Sequence, residues 1–156
     1  MSASLRGGER LMRKLQNMAQ AQGKVRAGIL EDATNMETGE PIAPYAAFNE
    51  YGTADIPARP FIRSTIQREG QTWSKGLARA LANGRSAQDA LKLVGRRMAE
   101  DIQATINSNM QPPNSPATIR AKTKGVDGGA PGETMTPGTL IDTGSMLRAV
   151  DYEVEE

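Results

Sequence analysis

The sequence has no cysteine and no histidine among its 156 residues. Without cysteine there is no disulfide framework, thiolate zinc site or cysteine nucleophile. Without histidine there is no imidazole base, so acid–base chemistry would fall to carboxylates, lysine or tyrosine, whose ordinary pKa values lie far from neutrality. We therefore expect no catalytic residue, no bound metal and no cofactor.

Large apolar side chains are also scarce: Leu, Ile, Val and Phe together supply 26 residues, and aromatic residues only 4% of the chain. A net charge of +1 nevertheless argues against disorder. We expect one folded domain over residues 1–156, with a thin core that depends on partners for part of its burial. No apolar run approaches the roughly 20 residues of a membrane span, and no signal-peptide core is present. We expect synthesis in the cytoplasm and no membrane association.

Charge is unevenly distributed despite the small sum. Residues 1–30 carry six basic side chains against Glu9, and residues 59–97 carry nine against Glu69 and Asp89. The last six residues hold four acids and no base. The pattern predicts two basic segments and an acidic tail.

Hydrophobic periodicity predicts a helix in the N-terminal segment 1–22 and a short helix over 43–51 that ends at Gly52. A helical hairpin is predicted from 61–82 and 86–108, with Ser86 capping its second helix. The apolar stripe of the first hairpin helix comprises Ile62, Ile66, Trp73, Leu77 and Leu81. The stripe of the second comprises Ala87, Leu91, Val94, Met98, Ile102 and Ile106.

Two alternating segments, 24–30 and 149–155, predict strands. Each has one apolar face, and the opposite face is basic on the first strand and acidic on the last. Because opposite charges on neighbouring strands attract, we expect the two to pair, antiparallel, in one sheet. The predicted fold is α+β: a small antiparallel sheet packed against the helical hairpin.

Residues 111–139 are predicted to form an extended, flexible arm that contains a short helix begun by Ser115-Pro116. Within it, residues 123–138 include five glycines and two prolines and offer little to bury. Asp142 is expected to cap a last short helix. The arm positions that we expect to contact a partner are Gly125, Asp127, Gly129, Pro131 and Met135.

Two sets of charged residues carry weaker functional signals. The adjacent carboxylates Glu100 and Asp101 are expected on an exposed helical face, which gives little support to a hydrolase. Arg68, Lys75 and Arg79 lie within about 40° of one another on their helix. They form either a solvated face or a surface for nonspecific contact with nucleic acid.

Four of the six aromatic residues cluster around a proline-braced segment: Tyr45, Phe48, Tyr51 and Phe61. Aromatic side chains beside rigid backbone are often interface anchors, but they can equally fill a core between sheet and hairpin. We expect Phe61 in the core and Tyr51 at an interface.

The stretches YAAFNEYGT (45–53) and IPARPFIR (56–63) resemble bacteriophage tail-completion and neck proteins, and SPATI (115–119) and LIDTGSMLR (140–148) are similar too. The resemblance implies a structural virion protein at the head–tail junction that is not an enzyme. It also implies a ring, typically a homo-hexamer, between a connector or stopper and a terminator or tail tube, with DNA passing through its centre. The positions expected at the subunit interface are Asn49, Glu50, Tyr51, Gly52, Thr53, Ile56, Pro57 and Arg59.

Two alternatives stay open at this point. A tail terminator that caps the tube is the nearest, and a nonspecific DNA-binding accessory protein comes from another class.

Overall fold

The computed structural model describes residues 8–19, 22–30, 32–35, 38–108, 110–123, 139–140 and 144–155. Six helices and two strands follow one another along this part of the chain. They are α1 (Gly8–Ala19), β1 (Lys24–Ile29), α2 (Ile42–Tyr51), α3 (Phe61–Ala82), α4 (Ala87–Asn107), α5 (Pro116–Thr123), α6 (Ser145–Arg148) and β2 (Val150–Glu155).

The two strands form an antiparallel sheet of two strands, as the charge pattern predicts. Lys24 lies opposite Glu155, and Arg26 lies opposite Glu153. The Arg26 guanidinium is 3.1 Å from the Glu155 carboxylate and 3.5 Å from that of Glu153. The apolar side chains of both strands therefore turn together towards the helices.

The predicted helical hairpin is confirmed as α3 and α4. α3 ends at Ala82, Asn83 is its C-cap residue, and Gly84 makes the turn with a φ of 87°. The Ser86 hydroxyl accepts a 3.0 Å hydrogen bond from the amide of Asp89, which caps α4 as predicted.

The predicted stripe of α3 is wrong in one respect, because Ile66 is half exposed. The residues that α3 buries are Phe61, Thr65, Trp73 and Ala80. Thr65 can occupy an inward position because its hydroxyl donates to Phe61 O and shares a second hydrogen bond with the Thr105 hydroxyl of α4, both at 2.6 Å. A threonine with two hydrogen bonds thus lies where periodicity alone would place an isoleucine.

The sheet packs on α4, and Gly95 allows its close approach. A Cβ atom at residue 95 would overlap the Tyr152 ring and lie 2.7 Å from Val25. The main core lies beyond this contact, with Phe61, Ile102 and Ile106 at its centre and Met146 and Val150 at its edge. Helices α2, α3, α4 and α6 and the start of β2 therefore share this core.

The remaining predictions have mixed outcomes. Within the predicted N-terminal segment 1–22, the structure describes a helix over Gly8–Ala19. α5 follows Ser115, whose hydroxyl accepts from the amide of Thr118. The expected cap at Asp142 is wrong, because the N-cap residue of α6 is Gly144, with a φ of 75° and no side-chain hydrogen bond. Residues 124–138 lie outside the described residues, so the contacts expected of Gly125, Asp127, Gly129, Pro131 and Met135 stay predictions. Within the described ranges, no helix is long and apolar enough to cross a bilayer.

Candidate subunit interface

The loop between α2 and α3, residues 52–60, has a tightly defined backbone. Gly52 has a φ of 77°, and a Cβ atom there would lie 2.9 Å from the amide nitrogen of Ala58. The Thr53 amide donates to Ile56 O at 2.8 Å, and the Thr53 hydroxyl accepts from the amides of Asp55 and Ile56. The loop is therefore shaped by its own hydrogen bonds as well as by its prolines.

Glu50 fixes the loop to the start of α3. Its buried carboxylate accepts hydrogen bonds from the amides of Ile62 at 2.9 Å and Arg63 at 3.1 Å. The Arg63 side chain adds an ion pair of 2.9 Å to the same carboxylate. An anion at a helix N-terminus satisfies amide groups that have no partner within the helix, so Glu50 caps α3 from another element.

Arg59 fixes the other side of the loop. Its guanidinium donates to Pro112 O at 2.8 Å and to Pro113 O at 3.2 Å. Its amide donates to Asn49 O at 2.6 Å, and the Asn49 side chain donates to Tyr45 O. The first part of the predicted arm is thereby attached to the loop, and α5 follows it directly.

These contacts divide the predicted interface residues into two groups. Asn49, Glu50 and Arg59 are buried within the subunit, so a direct contact of these side chains with a neighbour is not what their positions favour. Their polar groups instead satisfy backbone amides and carbonyls. The group at the surface comprises Tyr51, Thr53 and Pro57, which are exposed, and Gly52 and Ile56, which are partly buried.

Three aromatic side chains of α2 lie at the surface beside this loop. Tyr45 is 45% exposed, Phe48 50% and Tyr51 69%, whereas Phe61 is fully buried. The core prediction is thus confirmed for Phe61, and a core role for the other three is wrong. The Arg63 guanidinium lies over the Tyr51 ring, 5.0 Å from its centre, in a cation–π contact. We call Tyr45, Phe48 and Tyr51 the aromatic face.

The three basic residues of α3 are all exposed, but they differ in their surroundings. Arg68 donates to Thr105 Oγ1 at 2.7 Å and pairs with Glu69 at 3.1 Å, so this guanidinium braces α3 against α4. Lys75 and Arg79 lie further along the helix towards its C-terminus. All three therefore face solvent as expected, but the Arg68 guanidinium also has a structural role.

Two side chains, Asp101 and Arg63, have roles that the sequence did not indicate. Asp101 is buried, and its carboxylate accepts from Trp73 and pairs with Arg97 at 3.0 Å. The expectation of an exposed face failed because a tryptophan on the opposite helix needs an acceptor for its N–H group. The role of Arg63 could have been suspected from the sequence, because a basic residue in the first turn of a predicted helix lies a short loop away from the acidic residue Glu50.

The described surface offers side chains for protein–protein contact. In the part of the chain that the structure describes, no group of three acidic residues lies close enough to hold a metal ion. Every buried side-chain nitrogen or oxygen among those residues has a hydrogen-bond partner. The aromatic face and the loop of residues 52–60, which we call the braced loop, are thus the most distinctive surface features.

Comparison of the chain with protein-family models, with curated proteins and with solved structures gave no match.

Proposed function

We propose that this chain is a structural protein of a bacteriophage virion that completes the tail and joins it to the head connector. In this proposal, copies of the chain form a ring, with six subunits as the expected number, around the channel through which DNA passes. The ring meets a connector or stopper on one side and a terminator or tube on the other. It is assembled in the host cytoplasm and has no enzymatic activity.

The observation that carries the proposal is the aromatic face beside the braced loop. Half-exposed aromatic side chains on a rigid support are typical of interface anchors, because they bury a large area at a small cost in conformational entropy. The loop and α3 hold the face in place through Glu50 and Arg59, which are both buried. The same residues, 45–63, carry the resemblance to the tail-completion proteins.

Segregated charge supports a ring whose subunits associate head to tail. α1 carries Arg13 and Lys14, whereas the outer face of the sheet carries three acids of β2, Asp151, Glu153 and Glu155, against two bases of β1, Lys24 and Arg26. Two different surfaces of opposite charge favour contact between unlike faces of neighbouring copies. Such contacts close into a ring when the rotation between neighbouring subunits is a whole fraction of a full turn.

The proposal is tested by deleting the gene from the phage that encodes this chain and imaging the particles. We expect finished tails without heads and filled heads without tails, and we expect the purified protein to restore infectious particles. Tubes of excessive length would instead identify the tail terminator. Normal particles without the protein would contradict both roles.

The exposed Lys75 and Arg79 favour a second candidate, a nonspecific DNA-binding accessory protein. That function requires the isolated subunit to bind duplex DNA with an affinity that falls steeply as salt is raised. Replacing Lys75 and Arg79 by alanine would then weaken binding, whereas replacing Lys92, on α4, would have a smaller effect. If the isolated protein does not bind DNA at low salt, this candidate is excluded.

A further inference from the structure

The apolar side chains of α1 point into solvent. Leu11 is 58% exposed, Met12 57% and Leu15 51%, and they lie within about 100° of one another around the helix. α1 contacts α3 of its own subunit, yet each of these three side chains keeps more than half of its surface exposed. A 12-residue helix is marginal by itself in water, so an amphipathic helix of this length gains stability when its apolar stripe is covered.

A groove of about 340 Å³ lies between α2, α3 and the end of β1. Its walls are largely apolar, and Ile66, the isoleucine that α3 leaves exposed, stands at the rim. The groove is bordered by the Glu50–Arg63 ion pair, but most of its lining is apolar and includes Ile29, Ala43, Ala47, Tyr51, Ile62 and Ile66. The groove therefore offers an apolar surface beside the aromatic face.

A second cleft, of about 630 Å³, adjoins this groove, and Ile29 lines both. The charged side chains that line it are Asp32, Glu153 and Glu155, against Arg26 alone. Three carboxylates and one guanidinium give this cleft a net negative charge. The combined surface is apolar at one end and acidic at the other.

We infer that α1 of one subunit binds the groove between α2, α3 and β1 of a second copy, with Leu11 and Leu15 in contact with Ile66 and Tyr51. Lys14 lies about 60° from Leu11 around the helix, so its long side chain flanks the apolar stripe and can reach the adjoining carboxylates. Twelve residues at 1.5 Å each span about 18 Å, enough to cover the groove and enter the acidic cleft.

The second copy is the occupant that the charges favour. The stripe is flanked by a cation, and the cleft that adjoins the groove is acidic, so the two surfaces are complementary within one sequence. Because they are different surfaces, the contact is head to tail and fits a ring. The inference rests on the proposed function only for that closed arrangement, since the contact between two copies can be measured with purified protein.

The lack of cysteine permits a direct test by cross-linking. Full-length Leu15→Cys and Ile66→Cys proteins are purified separately, mixed, and treated with a short bis-maleimide. We expect a mixed cross-linked dimer of twice the 16.7 kDa chain mass. Gln16→Cys, one position along the exposed side of α1, is the matched control and is expected to cross-link to Ile66→Cys several-fold less.

Three results would overturn the inference. Leu15→Cys linking to itself more efficiently than to Ile66→Cys would mean that α1 pairs with α1. An intrachain link in a Leu15→Cys/Ile66→Cys double variant that stays monomeric would mean that α1 covers its own groove. If the mixed variants stay monomeric and form no cross-link at the highest attainable protein concentration, two copies do not make this contact. If the expected mixed cross-link forms but the protein is absent from phage particles, the contact between copies is supported and the proposed tail function is contradicted.

Discussion

The indole N–H of Trp73 on α3 donates a 2.8 Å hydrogen bond to Oδ2 of Asp101 on α4. Arg97 pairs with the same carboxylate from one turn earlier on α4. One turn later, Thr105 continues the polar contact to Thr65 and Arg68 of α3. The hairpin is therefore joined by a row of hydrogen bonds as well as by apolar side chains, which suits a protein with few large apolar residues.

Replacing Asp101 by alanine should lower the free energy of unfolding by about 1–3 kcal/mol, because the buried indole N–H loses its acceptor. Urea denaturation followed by tryptophan fluorescence measures this change, since Trp73 is the single tryptophan. The neighbouring Glu100→Ala is the control, and a change within about 0.5 kcal/mol is expected at that exposed position. Equal effects of the two substitutions would contradict a special role for Asp101.

Two helical glycines should respond to alanine in opposite directions. Gly95→Ala should destabilise the protein by about 1–3 kcal/mol, because the added methyl group collides with Tyr152 and Val25. Gly76→Ala should stabilise it by about 0.4–1 kcal/mol, because nothing lies within 4 Å of the new Cβ and the unfolded chain loses freedom. Thermal unfolding of both variants checks the pair, and a stabilised Gly95→Ala would show that the sheet does not pack closely on α4.

Loss of the Glu50 carboxylate should loosen the connection between α2 and α3. We expect Glu50→Ala to cost about 1–3 kcal/mol, since two amides at the start of α3 lose a charged acceptor. Limited proteolysis should then cut within residues 52–60 at a higher rate than in the parent protein. Glu40→Ala removes an exposed carboxylate and is expected to change neither quantity; faster cutting there too would point to a general loss of stability.

The aromatic face should control assembly without controlling folding. Phe48→Ser and Tyr51→Ser are expected to reduce the mass of the assembly measured by light scattering, while the unfolding free energy stays within about 0.5 kcal/mol of the parent value. Leu93→Ser, at a similarly exposed position on α4, is the matched control and should leave the mass unchanged. An unchanged mass in the Phe48 and Tyr51 variants would exclude this face as the contact surface.

Segments with one strong periodicity could be predicted from the sequence. The pairing of 24–30 with 149–155 followed from alternation and complementary charge, and the hairpin followed from two long helical stripes with a cap at Ser86. At the candidate interface, the sequence indicated the correct segment but not the role of each side chain. Asn49, Glu50 and Arg59 carry polar groups that could face a neighbour or the backbone equally well, and only their placement in the fold decided between the two.

By itself, the sequence indicated the main elements, the antiparallel pairing of the two strands and the lack of any imidazole or thiol chemistry, since these follow from residue identity, local periodicity and complementary charge. Tertiary structure decided which face of α3 is buried, that Asp101 serves Trp73, and that the aromatic face lies outside while Phe61 lies inside. These outcomes depend on which partner a side chain meets across tens of residues. A polar group is buried only where the fold brings a matching donor or acceptor to it.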